Sequence, residues 1–367
     1  MTATVTPTEP AEETPGLLAR IAHRATAGGP INQVLVPLAA VVAALVVGAV
    51  FITFDGSNPL LVYREIVSAV FTGRRGFSDT ATAATPLILI GLGYAIAYRA
   101  RVFTIGAEGQ YLVGAVVGTA WVTAGGISDM PRFPLIMSGL LLAALGGALW
   151  SMLAGWLGVR FGANIVISSL MLVYVAEAVL AWAVRDGIKD PDSFVNQSRQ
   201  IGPATLPDLP GTSTHIGFAL AVLLVPVAAV LMARHRGGFR VTAYGHNPSA
   251  LDANEVRSKT VVLLVMVIAG ALAGLAGMVE TAGVSGRLGA QASVNLGFEA
   301  IIVALLGRLN PVGVLFAGLS LAGLTIGFES AQREFDLPSS LVGVITALIV
   351  VFVVVGDALA SRGKEAA

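Results

Sequence analysis

Polar and charged positions in this chain come in short clusters, separated by long apolar runs that show neither the alternation of a half-buried strand nor the stripe of a surface helix. Such runs lie at roughly residues 34 to 54, 80 to 98, 104 to 124, 134 to 159, 164 to 184, 215 to 233, 259 to 281, 294 to 307, 311 to 329 and 338 to 357. Roughly 20 apolar residues carry a helix across a hydrocarbon layer of about 30 Å, and only helices or closed barrels satisfy their backbone groups there. The pattern predicts an all-α integral membrane protein with about ten transmembrane helices, some of them broken or re-entrant.

Two irregularities change that picture. The run from Val294 to Gly307 holds roughly 14 residues, or roughly 21 Å of helix, too short to cross upright. The sequence Gly307-Arg308-Leu309-Asn310-Pro311 then breaks it, and Gly283 to Gly289 precedes it, so a re-entrant or discontinuous helix is expected. The second irregularity is the polar connection of residues 234–258, where Asn247 can cap a helix whose first turn holds Pro248. A short surface helix is predicted there.

The ends and orientation follow from charge. Residues 1–30 carry prolines, Glu9, Glu12, Glu13 and a basic collar of Arg20, His23 and Arg24, and read as a disordered cytoplasmic tail. The run after it is too long for a signal-peptide core and lacks a cleavage pattern, so it should stay attached as the first span. With the N-terminus inside, Arg99, Arg101, Arg160, the cluster from Arg234 to Lys259, Arg308 and Arg362 also fall inside, a modest positive-inside bias. Both termini come out cytoplasmic, with a membrane domain over 31–358 and a tail over 359–367.

Composition narrows the class. Hydrophobic residues make up 55% and charged residues 12%, where a soluble domain carries about a quarter charged. A formal net charge of zero gives no basic surface for nucleic acid, and the absence of cysteine removes disulfides and thiolate chemistry. The four histidines, His23, His215, His235 and His246, sit at span ends or in loops, so neither a metal site nor a catalytic set is expected, and no cofactor. Lys189, Lys259 and Lys364 are the only lysines, and none follows the glycine spacing of a P-loop. The chain cannot hydrolyse ATP by that chemistry and is expected not to be an enzyme.

Candidate functional groups are the polar side chains inside the apolar runs, where each charge costs roughly 2.5 to 3.5 kcal/mol on insertion scales. Glu108 and Gln110 stand just inside one end of the third run, where snorkelling or a hydrogen bond to a neighbouring helix competes with a path or gating role. Glu177 is near the middle of its run, beyond any snorkel, and should be protonated, paired or facing water. Asn295 and Glu299 in the short run, with Glu280 and Gln291 on its approach, are candidates to contact a polar solute, with packing roles as the alternative. Gly106, Gly109, Gly114 and Gly118 make a small-residue face suited to close helix packing.

Several ordered motifs carry a family resemblance. Residues Asp79 to Gly93, the sequence Ile105-Gly106-Ala107-Glu108-Gly109-Gln110, the loop Tyr244-Gly245-His246-Asn247-Pro248, and the stretches Gly270 to Gly277 and Gly297 to Gly307 together resemble the permease subunits of ABC importers for nucleosides and simple sugars. That family lies within the branched-chain amino acid and ribose permease superfamily, and the similarity covers roughly residues 56 to 357. This chain departs from the family in having Arg101-Val102-Phe103-Thr104 before the glutamate motif and Val256-Arg257 in place of a glycine-isoleucine pair.

The resemblance implies alternating access driven by a separate ATPase, with Tyr244, Gly245, Asn247, Pro248, Ala250 and Leu251 in the contact to it. It further implies a second permease subunit in a heterodimer, an extracytoplasmic solute-binding lipoprotein, and residence in a bacterial-type cell membrane. The glutamate motif points to the nucleoside-like branch, and few intramembrane charges suit a small neutral polar solute. A ribose-like sugar permease, or a stand-alone transporter coupled to an ion gradient, is the alternative.

Overall fold

The computed structural model describes residues 32–72, 76–127, 130–253, 258–292 and 295–365. The expected tail over 1–30 lies outside them, as do Val256 and Arg257. The chain divides into two compact units, one combining residues up to Pro59 with those from Gly343 onward, the other running from Leu60 to Val342.

The first unit contains α1 (Asn32–Phe54) and most of the last helix, α13 (Ser339–Glu365). Valine, alanine and leucine dominate α1 from Val34 to Val50, and the helix ends at Asp55-Gly56, where Gly56 adopts φ 88°. Only glycine takes that left-handed conformation without strain.

The second unit holds the remaining helices: α2 (Pro59–Phe71), α3 (Gly76–Arg99), α4 (Ala107–Val122), α5 (Arg132–Phe161), α6 (Ile165–Trp182), α7 (Ile216–Arg234), α8 (Arg236–His246), α9 (Pro248–Ala253), α10 (Ser258–Glu280), α11 (Leu296–Leu306) and α12 (Pro311–Phe335). Asparagine side chains start several of them, α6 and α12 included: Asn164 Oδ1 accepts from the Val166 and Ile167 amides of α6, and Asn310 Oδ1 from the Val312 amide of α12. Pro311 then occupies the first turn of α12, where its missing N–H costs nothing.

The centre is a crossing of α4, α5 and α10, with α3 buried beside it. Gly114 on α4, Gly147 on α5 and Gly274 on α10 meet backbone to backbone, and a methyl group on Gly114 would overlap the Gly274 main chain. Small residues are what membrane helices use for such approach, because lipid offers no hydrophobic drive and contact must come from dispersion. Gly118 packs under Met278 and Gly109 against Val173, so the small-residue face of α4 is used along its length.

Six helices among the described residues are long and apolar enough to cross a membrane, or up to seven if one bent pair counts as a single span. The count of about ten spans therefore includes helices that fall short of that length, among them α4 with 16 residues and α11 with 11. Two helices stand where connections were expected. Residues 59–71 form α2, which packs along α12 through Ile66 and Gly327, with the Ser330 hydroxyl donating to Glu65 at 2.9 Å. The predicted surface helix is α9, and residues 236–246 before it form the longer α8. Helix α13 continues to Glu365 through most of the segment expected as a tail.

The two ends of α3 fix the poles of this unit. Its first turn carries the 188–215 loop, through Thr214 Oγ1 donating to the Ser78 carbonyl at 3.1 Å. Its last turn carries α8, whose Gly245 lies on the Arg99 carbonyl with no room for a side chain. The 188–215 loop is tied down by Ser198 and Leu288, whose amides bond across to each other's residue at 2.8 and 2.9 Å, and by an Arg287–Asp190 ion pair at 2.7 Å.

Candidate functional site

The chain leaves α3 at Arg99, turns through Arg101 at φ 53°, and doubles back into the protein as an extended strip before α4 begins. Four hydrogen bonds hold the strip. Tyr98 Oη donates to the Thr104 carbonyl at 2.8 Å, Thr104 Oγ1 accepts from the Gly106 amide at 3.3 Å, Ser169 Oγ accepts from the Ile105 amide at 3.2 Å, and Tyr94 Oη accepts from the Ala107 amide at 3.3 Å. Tyr94 stands five residues before Arg99, so the first amide of α4 lies about 7 Å below the end of α3. Helix α4 therefore begins inside the protein.

A second helix begins at the same place. Asn295 adopts φ 64° and ends the approach to α11, and its own side chain caps nothing. Glu108 takes that role from another helix: its Oε2 accepts from the Gly297 amide at 2.7 Å, and Gly297 rests against the Glu108 backbone too closely for a Cβ. The carboxylate thus sits at the positive ends of two helix dipoles. It is 4% exposed, so snorkelling is not what accommodates it and a neighbouring-helix hydrogen bond is.

Other polar groups gather around this point. The carboxylates of Glu177 and Glu299 lie near enough to act electrostatically on Glu108, as Glu280 and Glu108 do on Tyr111. Tyr111 Oη donates to the Ala292 carbonyl at 3.3 Å, next to the exposed Gln291. Gln110 is buried, and its Oε1 has no hydrogen-bond partner among the described residues. Glu177 and Asn295 are exposed on the single chain, whereas Glu280 and Glu299 are half-buried. The residues missed from sequence are Tyr94, Thr104, Tyr111 and Ser169, which hold the broken backbone in place. The spacing of Tyr94 and Tyr98, rings 5.3 Å apart on one helix face, was their available signal.

The α8–α9 segment is a second region. Asn247 Oδ1 accepts from the Ser249 amide at 3.1 Å and starts α9. His246, Asn247, Pro248 and Ser249 are exposed. Leu251 is 6% exposed, packed in a cluster with Ile96, Val102, Val241, Val262 and Met266. Gly245 and Leu251 are both buried on the single chain, and Leu251 ties the short α9 to the helices beneath it. Tyr244 is half-buried against the same cluster.

At the opposite pole His215 is 1% exposed, with neither ring nitrogen hydrogen-bonded among the described residues. Burial pushes its pKa below the ordinary 6.5, against the opposing pull of Asp208.

A family described as "Branched-chain amino acid transport system / permease component" matches residues 76–354. The chain belongs to this permease family. It is 34% identical over 351 residues to the glucose ABC transporter permease protein of Haloferax volcanii, covering 90% of this chain and 92% of that one. It is 31% identical to the guanosine ABC transporter permease protein of Bacillus subtilis, covering 88% and 93%. Identity to the nucleoside ABC transporter permease protein of Lactococcus lactis subsp. cremoris is 30%, covering 88% and 91%. No solved structure matches. The family and the long apolar helices make this a multi-pass membrane permease, a kind of subunit that is not itself an enzyme.

Proposed function

We propose that the chain is the permease subunit of an ABC importer for a small neutral polar solute, nucleosides first among them. The observation that carries this reading is the meeting of two helix N-termini, α4 and α11, at Glu108 inside the protein; in this reading Glu108, Gln110, Glu177, Glu280, Gln291, Asn295 and Glu299 line the solute path. Broken helices at membrane depth are tolerated only where protein or a water-filled cavity surrounds the backbone, and transporters place their solute sites at such breaks. Acids and amides with no facing cationic cluster suit hydroxyl-rich neutral cargo and disfavour anions. Two of the three relatives named above are nucleoside or guanosine permeases. A sugar cargo is the second reading, favoured by the glucose relative.

In this reading the chain crosses about ten times with both termini in the cytoplasm. It pairs with a second, different permease in a bacterial-type cell membrane and receives its solute from an extracytoplasmic lipoprotein. Alternating access is driven by an ATPase docked on the segment that holds Tyr244, Gly245, Asn247, Pro248, Ala250 and Leu251, where Asn247 and Pro248 are exposed. Extraction in mild detergent tests the docking: a P-loop ATPase co-purifies with the wild type and is lost from Pro248→Arg. Uptake by the intact system, competed by unlabelled nucleosides and not by sugars, tests the cargo. Uphill uptake by the chain alone in liposomes on a proton or sodium gradient would overturn both.

A further inference from the structure

Between α3, α7, α8 and α10 lies a cavity of about 510 Å³ that the solute reading does not use. Its floor is Leu92 and Ile96 of α3, and its walls are aliphatic, from Leu224 and Ala228 of α7 to Ile268 and Ala271 of α10. Val227 and Leu231 on α7 and Leu264 on α10 line it and are also exposed, so it opens sideways between these two spans. Such a space does not hold ordered water, which needs two to four polar partners. Left empty, its walls forgo dispersion contacts. A hydrocarbon chain from the surrounding bilayer satisfies both conditions.

The mouth supplies the other half of a ligand. His235 lines the cavity where α7 turns into α8, in an extended conformation between the two helices. Its Nδ1 accepts from the Gly237 amide at 3.0 Å, which places the proton of the neutral ring on Nε2, as a donor. Arg234, Arg236 and Arg240 around it are exposed and make no ion pair among the described residues. No acidic residue occurs anywhere between Asp208 and Asp252. Phe239, 72% exposed, stands among these arginines on α8, the arrangement of a helix lying in a membrane interface. An apolar slot with an unopposed basic rim at one end matches a lipid that carries negative charge on its headgroup.

We propose that this cavity is a binding site for an anionic phospholipid, with one acyl chain between α3, α7, α8 and α10 and the headgroup phosphate held by Arg234, His235, Arg236 and Arg240. The lipid then braces the elbow between a membrane span and the segment carrying α9. The claim requires only that the chain is embedded in a bilayer, so it stands or falls separately from the cargo and the ATPase contact.

The test uses the permease with its co-purifying subunits in nanodiscs containing photoactivatable phosphatidylglycerol or phosphatidylcholine, each with the reactive group on the acyl chain. The labelled peptides are read by mass spectrometry. Phosphatidylglycerol is expected to label α7 and α10 at least tenfold more than phosphatidylcholine, since each basic residue at a membrane surface is worth roughly fivefold in affinity. The triple variant Arg234→Gln, Arg236→Gln, Arg240→Gln should erase that preference, and Ala271→Phe, which fills the slot, should reduce labelling by both lipids. The arginines are exposed, so their replacement keeps the test available if Ala271→Phe does not fold. Equal labelling by both lipids in the wild type overturns the proposal. So does labelling that neither variant changes, or occupation of the slot by a helix of a partner subunit in cross-linked material.

Discussion

Replacing Glu108 isolates the contact on which the interior end of α11 depends. That helix has 11 residues and no cap from its own Asn295, so the carboxylate from α4 is the side-chain acceptor its first turn receives. The Gly297 amide lies 2.7 Å from Oε2, in a place where Glu108 is 4% exposed and water is not at hand to replace it. Loss of a helix cap costs about 0.5 to 2 kcal/mol, and hydrogen bonds to charged groups contribute about 1.5 to 3 kcal/mol. Glu108→Ala, which leaves a buried amide unsatisfied, is therefore expected to destabilise the protein by about 2 to 3 kcal/mol. Glu108→Gln keeps an oxygen in place and should cost less than about 1 kcal/mol. The assay is thermal unfolding of the detergent-solubilised chain followed by size-exclusion fluorescence, with purified material checked for helix content. For a chain of this size about 2 kcal/mol corresponds to a drop of about 2 to 3 °C. If Glu108→Ala melts within about 1 °C of the wild type, the carboxylate is not supporting α11 and the reasoning fails.

Two further outcomes follow from other parts of the structure. Gly274→Val should disrupt the α4–α5–α10 crossing, because its added carbons fall on the backbones of Ala143 and Gly147; a loss of about 3 kcal/mol or failure to yield monodisperse protein is expected, and a normal melting profile would contradict the geometry. His215 is buried neutral, so its native pKa lies below the ordinary 6.5 and the unfolded chain takes up a proton first as the pH falls. Its stabilising effect is full above about pH 6.5 and is lost as the pH drops through the lower native value; melting at pH 5.5 and 7.5 should show a larger gap for the wild type than for His215→Phe, and equal gaps would refute the assignment.

Much of the helical layout was readable from apolar run length, because a span's length is set by the bilayer and not by its partners. The broken region around residues 294 to 311 was readable for the same reason, as a run too short to cross and bounded by glycine and proline. Helix α2 was not, since Arg64 and Glu65 interrupt a short segment whose helicity rests on packing against α12. Helix α8 was hidden by Gly237, Gly238 and Gly245, poor helix formers that here permit close approach, Gly245 to the carbonyl of Arg99. Glu108 was conspicuous as a costly acid, yet its partner Gly297 lies 189 residues further along, a pairing no local pattern encodes. Leu251 shows the limit in the other direction: Asn247-Pro248 announces where α9 starts, but six residues carry too little periodicity to say which side chain turns inward.

The glycine crossing also constrains how this protein can change shape. Where α10 meets α4 and α5 at Gly274, main chain lies on main chain with no side chain between to act as a bearing, so α10 cannot slide or roll past either neighbour there without collision. Deformation is left to the margins of that block, and there the residues bracketing α11, Asn295 at one end and Arg308 and Leu309 at the other, already hold left-handed backbone angles, like springs set on either side of a short lever.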